Sequence, residues 1–271
     1  MHGAKNSALP LLAACVLAHG ECVLHNCPEL TDVDAACRIL SCLGCRCTRS
    51  GDTVCVDASN VCGNEIPDNL MREMRSSIVF LGAVLGRTRR CKLTFPGGCE
   101  LGARPIDLHL AALRDMGVTI SEEHGWLECT AAGGIRGGSV TLSFPSVGAT
   151  ENIMLAAVTA SGRTEIHNAA REPEIIDLAE FLVKCGAKIT GAGGSTICVE
   201  GVSRLSPAEH TVIPDRIVAG TYLCAAAMTR GELILTRCEP SHMTGFLPVL
   251  ESMGCRIYPY GCLLYTSDAA D

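Results

Sequence analysis

Hydrophobic and polar positions along this chain recur in one order, helix, short strand, helix, hairpin, repeated four times. Each copy is anchored by an apolar residue followed by glycine: Leu43-Gly44, Met116-Gly117, Cys185-Gly186 and Met253-Gly254. Gly44 to Gly117 spans 73 residues, Gly117 to Gly186 spans 69, and Gly186 to Gly254 spans 68. Ahead of the anchors, Ala36, Ile39, Leu40 and Leu43 make one apolar face at helical spacing, and Ile175, Leu178, Leu182 and Cys185 make another. Glycine just past such a face suits the left-handed residue that closes a helix, where a Cβ is costly. After each anchor the pattern alternates. Cys45, Cys47, Val118, Ile120, Ala187, Ile189, Cys255 and Ile257 are predicted to point inward, and Arg46, Thr119, Lys188 and Arg256 outward.

Second hairpin strands are predicted at residues 53–56, 126–129 and 196–199. Units of this kind cannot bury their apolar faces alone and must stack. The predicted fold class is therefore α/β, with several copies of a βαβαββ unit sharing one core. A strand at 139–143 leads into the first helix of the third copy, and one at 210–213 into that of the fourth. The first copy opens at Met1-His2-Gly3 with no leading strand, and the fourth lacks a second hairpin strand. Truncation at both ends is the expectation. Residues 262–271 fit no repeat position and are read as a non-native tail.

Composition narrows the class. Of 271 residues, 48% are hydrophobic and 19% charged, as in a soluble protein of one or two domains. The longest apolar run, residues 8–18, contains Pro10 and falls short of the roughly 20 residues a membrane span needs. No secretory leader is legible, so a cytoplasmic location is the default expectation. The net charge of −7, dispersed Lys and Arg, and 4% aromatics argue against a nucleic-acid partner.

The 18 cysteines admit three readings. A secreted disulfide scaffold would be shorter and carry a signal peptide. Cys42-x-x-Cys45-x-Cys47 resembles half of a metal site, but no second pair follows at zinc-like spacing. The repeat positions favour the third reading, cysteine as a small buried hydrophobe.

Candidate chemistry concentrates between the repeats. Pro96-Gly97-Gly98-Cys99-Glu100-Leu101-Gly102-Ala103-Arg104-Pro105 combines glycines that permit close approach to a ligand with a proline suited to open a helix. A thiol near Arg104 and a helix N-terminus has its thiolate favoured, against the bland reading of Cys99 as a buried thiol. Lys5 and Asn6 stand at a helix entrance, where a phosphate can meet ammonium and backbone donors, and a solvated lysine is the plain alternative. Ser146-Val147-Gly148 joins a strand to a helix, with an ordinary N-cap as the alternative. Arg75, in Met74-Arg75-Ser76-Ser77, is placed on a mostly apolar helix and wants an anion, if only that of an ion pair. Glu172 and Asp215 stand at helix starts, where capping is the plain role. His109 and the other histidines show no metal spacing and are read as surface or core residues.

Taken together, Gly3-Ala4-Lys5-Asn6, Met74-Arg75-Ser76-Ser77, the stretches 96–108, 144–153 and 168–175, and Pro214-Asp215-Arg216 closely resemble the UDP-N-acetylglucosamine enolpyruvyl transferase family. The match runs in order from Gly3 to about Gly261, and the stretch around Cys99, Arg104 and Asp107-Leu108-His109 is its most specific part. The resemblance implies an inverted, inside-out α/β barrel in two domains of three repeats each, with the site between them. Residues 1–213 would form the first domain, lacking its N-terminal strand, and 214–261 would begin an incomplete second.

The implied reaction moves the enolpyruvyl group of phosphoenolpyruvate to the 3′-hydroxyl of UDP-N-acetylglucosamine, the first committed step of peptidoglycan precursor synthesis. It needs no metal or redox cofactor. Catalytic roles fall to Cys99, Lys5 and Arg104. Cys99 would be the general acid and the residue that fosfomycin alkylates. Lys5, Asn6 and Arg104 would hold phosphoenolpyruvate. Arg75, Arg104, Pro105, Ile106, Asp107, Leu108, Phe144, Pro145, Ser146 and Val147 would border the UDP-sugar, with Glu172 and Asp215 supporting the cleft. Phe144 stands where some relatives carry a basic residue.

The alternatives are a shikimate-type enolpyruvyl transferase, a cysteine-rich metal or redox protein, and an interaction scaffold. The first differs at the lysine segment and lacks the loop cysteine; zinc analysis and thiol titration separate the second, and the Cys99 loop argues against the third. The family's presumed base, a second-domain carboxylate, would lie beyond this chain. The 271-residue polypeptide alone is therefore expected to release no inorganic phosphate from the two substrates, which a phosphate assay on the purified chain checks.

Overall fold

Gly44, Gly117, Gly186 and Gly254 all take the left-handed backbone the repeat pattern requires, with φ of 95°, 84°, 101° and 98°. Beyond each, one N–H reaches back over the helix end: Cys45 to the Leu40 carbonyl (2.9 Å), Val118 to Leu113 (3.0 Å), Ala187 to Leu182 (2.9 Å) and Cys255 to Leu250 (3.1 Å). The same closure is thus made four times, satisfying a carbonyl that helix geometry leaves open. The computed structural model describes residues 1–97, 105–260 and 263–267.

The first unit contains α1 (Lys5–Cys15), β1 (Glu21–His25), α2 (Thr31–Cys42), β2 (Arg46–Ser50) and β3 (Thr53–Asp57). In the second, the leading helical segment is broken. A short α3 (Asp68–Glu73) is followed by a 3-10 turn, Arg75–Val79, and then α4 (Phe80–Thr88). Arg75 therefore opens a 3-10 turn rather than sitting within an α-helix. β4 (Arg90–Thr94), α5 (Asp107–Asp115), β5 (Thr119–Glu123) and β6 (Trp126–Thr130) complete this unit. The third holds β7 (Ser139–Thr141), α6 (Val147–Ala157), β8 (Arg163–His167), α7 (Pro173–Lys184), β9 (Lys188–Thr190) and β10 (Thr196–Glu200).

Two sheets have the same plan. In the third unit the order is β7-β8-β10-β9, with β7 parallel to β8 and the other pairs antiparallel. The first unit repeats it, but its leading strand arrives from far along the chain: β11 (Glu209–Thr211) lies parallel to β1 in the order β11-β1-β3-β2. This corrects the expectation for 210–213. That strand closes the first unit, whose leading position looked empty in the sequence, instead of heading the fourth. The second unit's sheet is β4-β6-β5, and a single parallel bridge, Glu65 to Lys92, takes the leading place.

The last unit comprises α8 (Arg216–Thr229), β12 (Leu233–Leu235), a 3-10 turn Pro240–Met243, α9 (Leu247–Ser252), β13 (Arg256–Tyr260) and β14 (Leu263–Ser267). β14 pairs with both β13 and β12, so it supplies the second hairpin strand that the fourth copy was expected to lack. Residues 263–267 thus occupy a repeat position, against the expectation that 262–271 fit none. Ala219, Leu223, Leu235, Cys238, Met243, Leu250 and Ile257 form a small core of their own here.

The larger core is inverted. Residues 7–15 of α1, 80–86 of α4 and 149–157 of α6 are buried without interruption. Helices apolar on every side belong in an interior. α2, α5 and α7 bury one face only and, with the sheets, surround that trio. α4 and α6 approach so closely that a Cβ on Gly82 would lie 2.2 Å from the Asn152 carbonyl oxygen. A polar chain binds the closing strand to this core. His210 on β11 bonds Asp177 on α7 (2.7 Å), Lys184 donates to the other ring nitrogen (2.9 Å), and the second Asp177 oxygen accepts from Ser7 on α1. Beyond β11, the chain runs antiparallel to the segment before α1: Ala4 N–H meets the Ile213 carbonyl (2.7 Å) and Asp215 N–H the His2 carbonyl (2.9 Å).

Cys15, Cys22, Cys27, Cys45, Cys91, Cys129, Cys185 and Cys238 are buried free thiols, the small-hydrophobe role expected of them. Cys42 points to the Glu65 carbonyl while Cys45 enters the core, so the half-site spacing gathers no common ligand set. Among the described residues, no helix is long and apolar enough to cross a membrane.

Glu151, Glu174 and Asp177 are all buried carboxyls, and the last two have charged or hydrogen-bonding partners. Glu151 on α6 is pushed well above the usual carboxylate range, chiefly by burial and then by the charges of Glu174 and Glu172. Glu174 is itself buried and engages Arg216 with contacts of 3.0 and 3.1 Å.

Two stability tests follow. Gly82→Ala is expected to destabilise by about 1–3 kcal/mol, because α4 must move away from a backbone atom; urea unfolding reads this directly. For Glu151, a raised folded-state pKa means that its contribution is fully present below 4.5 and is lost as pH rises through the folded value. Glu151→Gln is expected to raise the urea midpoint near neutral pH and to change it little in acid. An unchanged midpoint at neutral pH would contradict the burial argument.

Candidate active site

Three helices begin at one place. The N-termini of α1, α5 and α6, together with the 3-10 turn at Arg75, open onto a cavity of about 560 Å³. Its walls bring together Lys5, Asn6, Arg75, Pro105, Ile106, Asp107, Leu108, Phe144 and Ser146, all of them sequence candidates, along with Asp32, Ser76, Ile78, His109 and Gly148. Neither α1 nor α6 carries an acidic residue in its first turn. Apart from the Ser146 cap on α6 and a long contact from the Lys5 N–H to Asp215, their first-turn N–H groups and positive dipole ends face the cavity, a setting that favours an anion.

Lys5 is the first residue of α1, and its Nζ lies 2.9 Å from Asp32 at the start of α2. With side-chain exposures of 43% and 25%, this is a half-solvated pair that holds the ammonium at the cavity rim. The Lys5 N–H approaches Asp215 Oδ2 at 3.4 Å. Asp215 also caps α8, accepting from Ile217 and Val218 at 2.9 Å each. It therefore has the capping role and in addition touches the lysine segment, without lining the cavity.

Ser146 is the N-cap of α6, with Oγ accepting from Ala149 N–H at 3.4 Å. Phe144 stands 58% exposed at the mouth. Pro145 and Val147 flank Ser146 but do not line the space, and Glu172 lies away from it at the start of α7 without a side-chain cap bond. Cys99 and Arg104 lie outside the described residues, while Pro105 immediately after them is part of the wall.

His109 was read as a surface or core residue. It is 7% exposed yet faces the cavity. Burial first, and the nearby Arg75 charge second, push its pKa down to about 4, so the ring is neutral near neutral pH. Asp32 gave no sequence signal, since nothing local shows that α2 starts beside Lys5. Ser76 sat in a motif already singled out.

Chemically, the site offers two cationic side chains, Lys5 and Arg75, and several helix-terminal donors. It is suited to binding phosphate-bearing ligands. The family model described as EPSP synthase (3-phosphoshikimate 1-carboxyvinyltransferase) matches residues 1–261. UDP-N-acetylglucosamine 1-carboxyvinyltransferase 2 of Caldanaerobacter subterraneus subsp. tengcongensis is 54% identical over 95% of the chain, and UDP-N-acetylglucosamine 1-carboxyvinyltransferase 1 of Symbiobacterium thermophilum is 48% identical over 96%. The chain spans 61% and 60% of the length of these two relatives.

Among solved structures, the enolpyruvyl transferase NikO from Streptomyces tendae superposes with a TM-score of 0.87 at 22% identity, covering 98% of this chain and 64% of that one. EPSP synthase from Acinetobacter baumannii gives 0.71 at 19% identity, covering 98% and 62%. These two likenesses are of fold, and the expected inverted barrel is the fold they share. Matched by the family model over residues 1–261, the chain belongs to the EPSP synthase family.

Proposed function

We propose that this chain is the larger part of an enzyme that transfers the enolpyruvyl group of phosphoenolpyruvate to the 3′-hydroxyl of UDP-N-acetylglucosamine. The observation that carries this reading is the single cavity at three helix N-termini. It gathers Lys5, Asn6, Arg75, residues 105–108, Phe144 and Ser146 from distant parts of the sequence. The names of the two similar relatives support the choice of acceptor.

In this reading residues 1–213 are the first domain and the segment from 214 begins the second. Lys5 and Asn6, joined by Arg104, hold phosphoenolpyruvate by its phosphate and carboxylate. Arg75, Pro105, Ile106, Asp107, Leu108 and the 144–147 turn receive the UDP-sugar. Cys99 gives its proton to the methylene carbon, and the C2 centre that results is oxocarbenium-like. The sugar 3′-oxygen bonds to that carbon and loses its proton. A methyl proton then leaves as the C–O bond to phosphate breaks, giving the enol ether and inorganic phosphate. The positive charges matter because the departing phosphate takes the electron pair of the C–O bond, while the carboxylate is an anion to be held throughout. Asp215 supports the cleft through its contact with the Lys5 backbone, while Glu172, away from the cavity, has no such contact.

A second reading, with 3-phosphoshikimate as acceptor, has the description of the family model in its favour. The full-length gene product decides between them. Phosphate release is expected with UDP-N-acetylglucosamine and not with shikimate 3-phosphate, and the reverse result would replace the acceptor. In the same protein Arg75→Ala is expected to raise KM for the UDP-sugar roughly 10- to 100-fold, as for loss of a charged hydrogen bond, with little effect on KM for phosphoenolpyruvate. Fosfomycin is expected to alkylate one thiol, Cys99, as mass spectrometry of the digested protein would show.

A further inference from the structure

The neutral ring of His109 has two possible tautomers, and its surroundings choose between them. Asn152, wholly buried on α6, is the deciding neighbour. Its Oδ1 accepts from the Gly82 N–H at 2.7 Å, and its Nδ2 donates to the Ile78 carbonyl at 3.1 Å. Flipping the amide would set donor against donor at Gly82 and acceptor against acceptor at Ile78, so two backbone groups fix its orientation. The remaining Nδ2 hydrogen faces His109 Nδ1, 2.8 Å away, with the Gly148 carbonyl a more distant acceptor at 3.4 Å, and an amide nitrogen cannot itself accept from the ring. Nδ1 must then be the acceptor and the ring proton must sit on Nε2. An imidazolium would turn an N–H of the ring against the amide, consistent with a pKa pushed down to about 4.

The ring edge bearing Nε2 lies against the start of α6. A Cβ on Gly148 would be 3.1 Å from Cε1 and 3.4 Å from Nε2. Gly148, Ser146 and Arg75 share this wall of the cavity. A donor therefore points to the spot where the α6 N-terminus and the Arg75 guanidinium already favour negative charge. We infer that Asn152 is a positioning residue that locks His109 with its proton on Nε2, so that His109 donates a hydrogen bond to a diphosphate oxygen of the nucleotide-sugar. The ligand named here rests on the proposed function; the tautomer does not.

The test is nitrogen NMR on the 15N-histidine-labelled 271-residue chain, with His109→Gln identifying the signal. At neutral pH the ligand-free protein is expected to show a protonated Nε2 and an unprotonated Nδ1 at His109. The Nε2 resonance should shift on adding UDP or inorganic pyrophosphate. Asn152→Asp places a carboxylate, which can only accept, opposite Nδ1. It is expected to move the proton to Nδ1 or charge the ring, and to weaken UDP binding about tenfold, the worth of one hydrogen bond to a charged acceptor. If that variant does not fold, the wild-type spectra still decide.

A proton on Nδ1, an imidazolium at neutral pH, or an Nε2 signal indifferent to both UDP and pyrophosphate would overturn the inference. Should the full-length protein fail to transfer enolpyruvate, the functional reading falls, while the tautomer, read without ligand, stands or falls on its own.

Discussion

Close contact between helices enclosed on every side is the constraint from which the rest of this molecule follows. α1, α4 and α6 have no solvent face. Their polar backbone ends are the only places where the centre of the domain can meet a charged ligand, since everything between is committed to internal hydrogen bonds. Placing the N-termini of α1 and α6 at one end, beside that of α5, concentrates positive dipole ends there. The cavity is therefore a by-product of how the core is built, and Lys5 and Arg75 add side-chain charge to a place already favourable to anions.

The same enclosure explains the buried polar groups. Asn152 and Asp177 sit inside the core because each joins elements that apolar contact alone would leave free to slide. Asn152 engages the backbone of α4 and of the turn before it. Asp177 links α1, α7 and the strand returning from the far end of the domain. Each has its partners, as groups withdrawn from water must. Glu151 is different, since burial first and the like charges of Glu174 and Glu172 second push its carboxyl well above the usual range.

What could be read from the chain beforehand was local. The anchor glycines announced left-handed helix ends, and the alternation after them set the inward faces of the strands. Most cavity residues were also legible, because phosphate-binding stretches at helix starts carry short motifs. Residues that depend on distant partners were not. The strand near His210 looked like the head of the fourth unit, since nothing in a local window shows that it pairs with β1, nearly the whole domain earlier in sequence. His109 looked inert because its role is set by an amide 43 residues away. The break between α3 and α4 escaped an apolar pattern that reads the same in an α-helix and a 3-10 turn.

The pairing of the segment before α1 with the one before α8 has a mechanical meaning. The covalent crossing at Pro214 is laced to the segment before α1, Gly3 lying against Pro214 with hydrogen bonds on either side and Met1 packing on the small core beyond. A single tether would let the α8 portion twist and swing independently. Two laced tethers resist torsion and leave bending as the soft motion. Because one tether ends at Lys5 and the other at Asp215, any such bend is delivered straight to the first residue of the anion-binding end, and the lysine moves as one body with the helix start beside it.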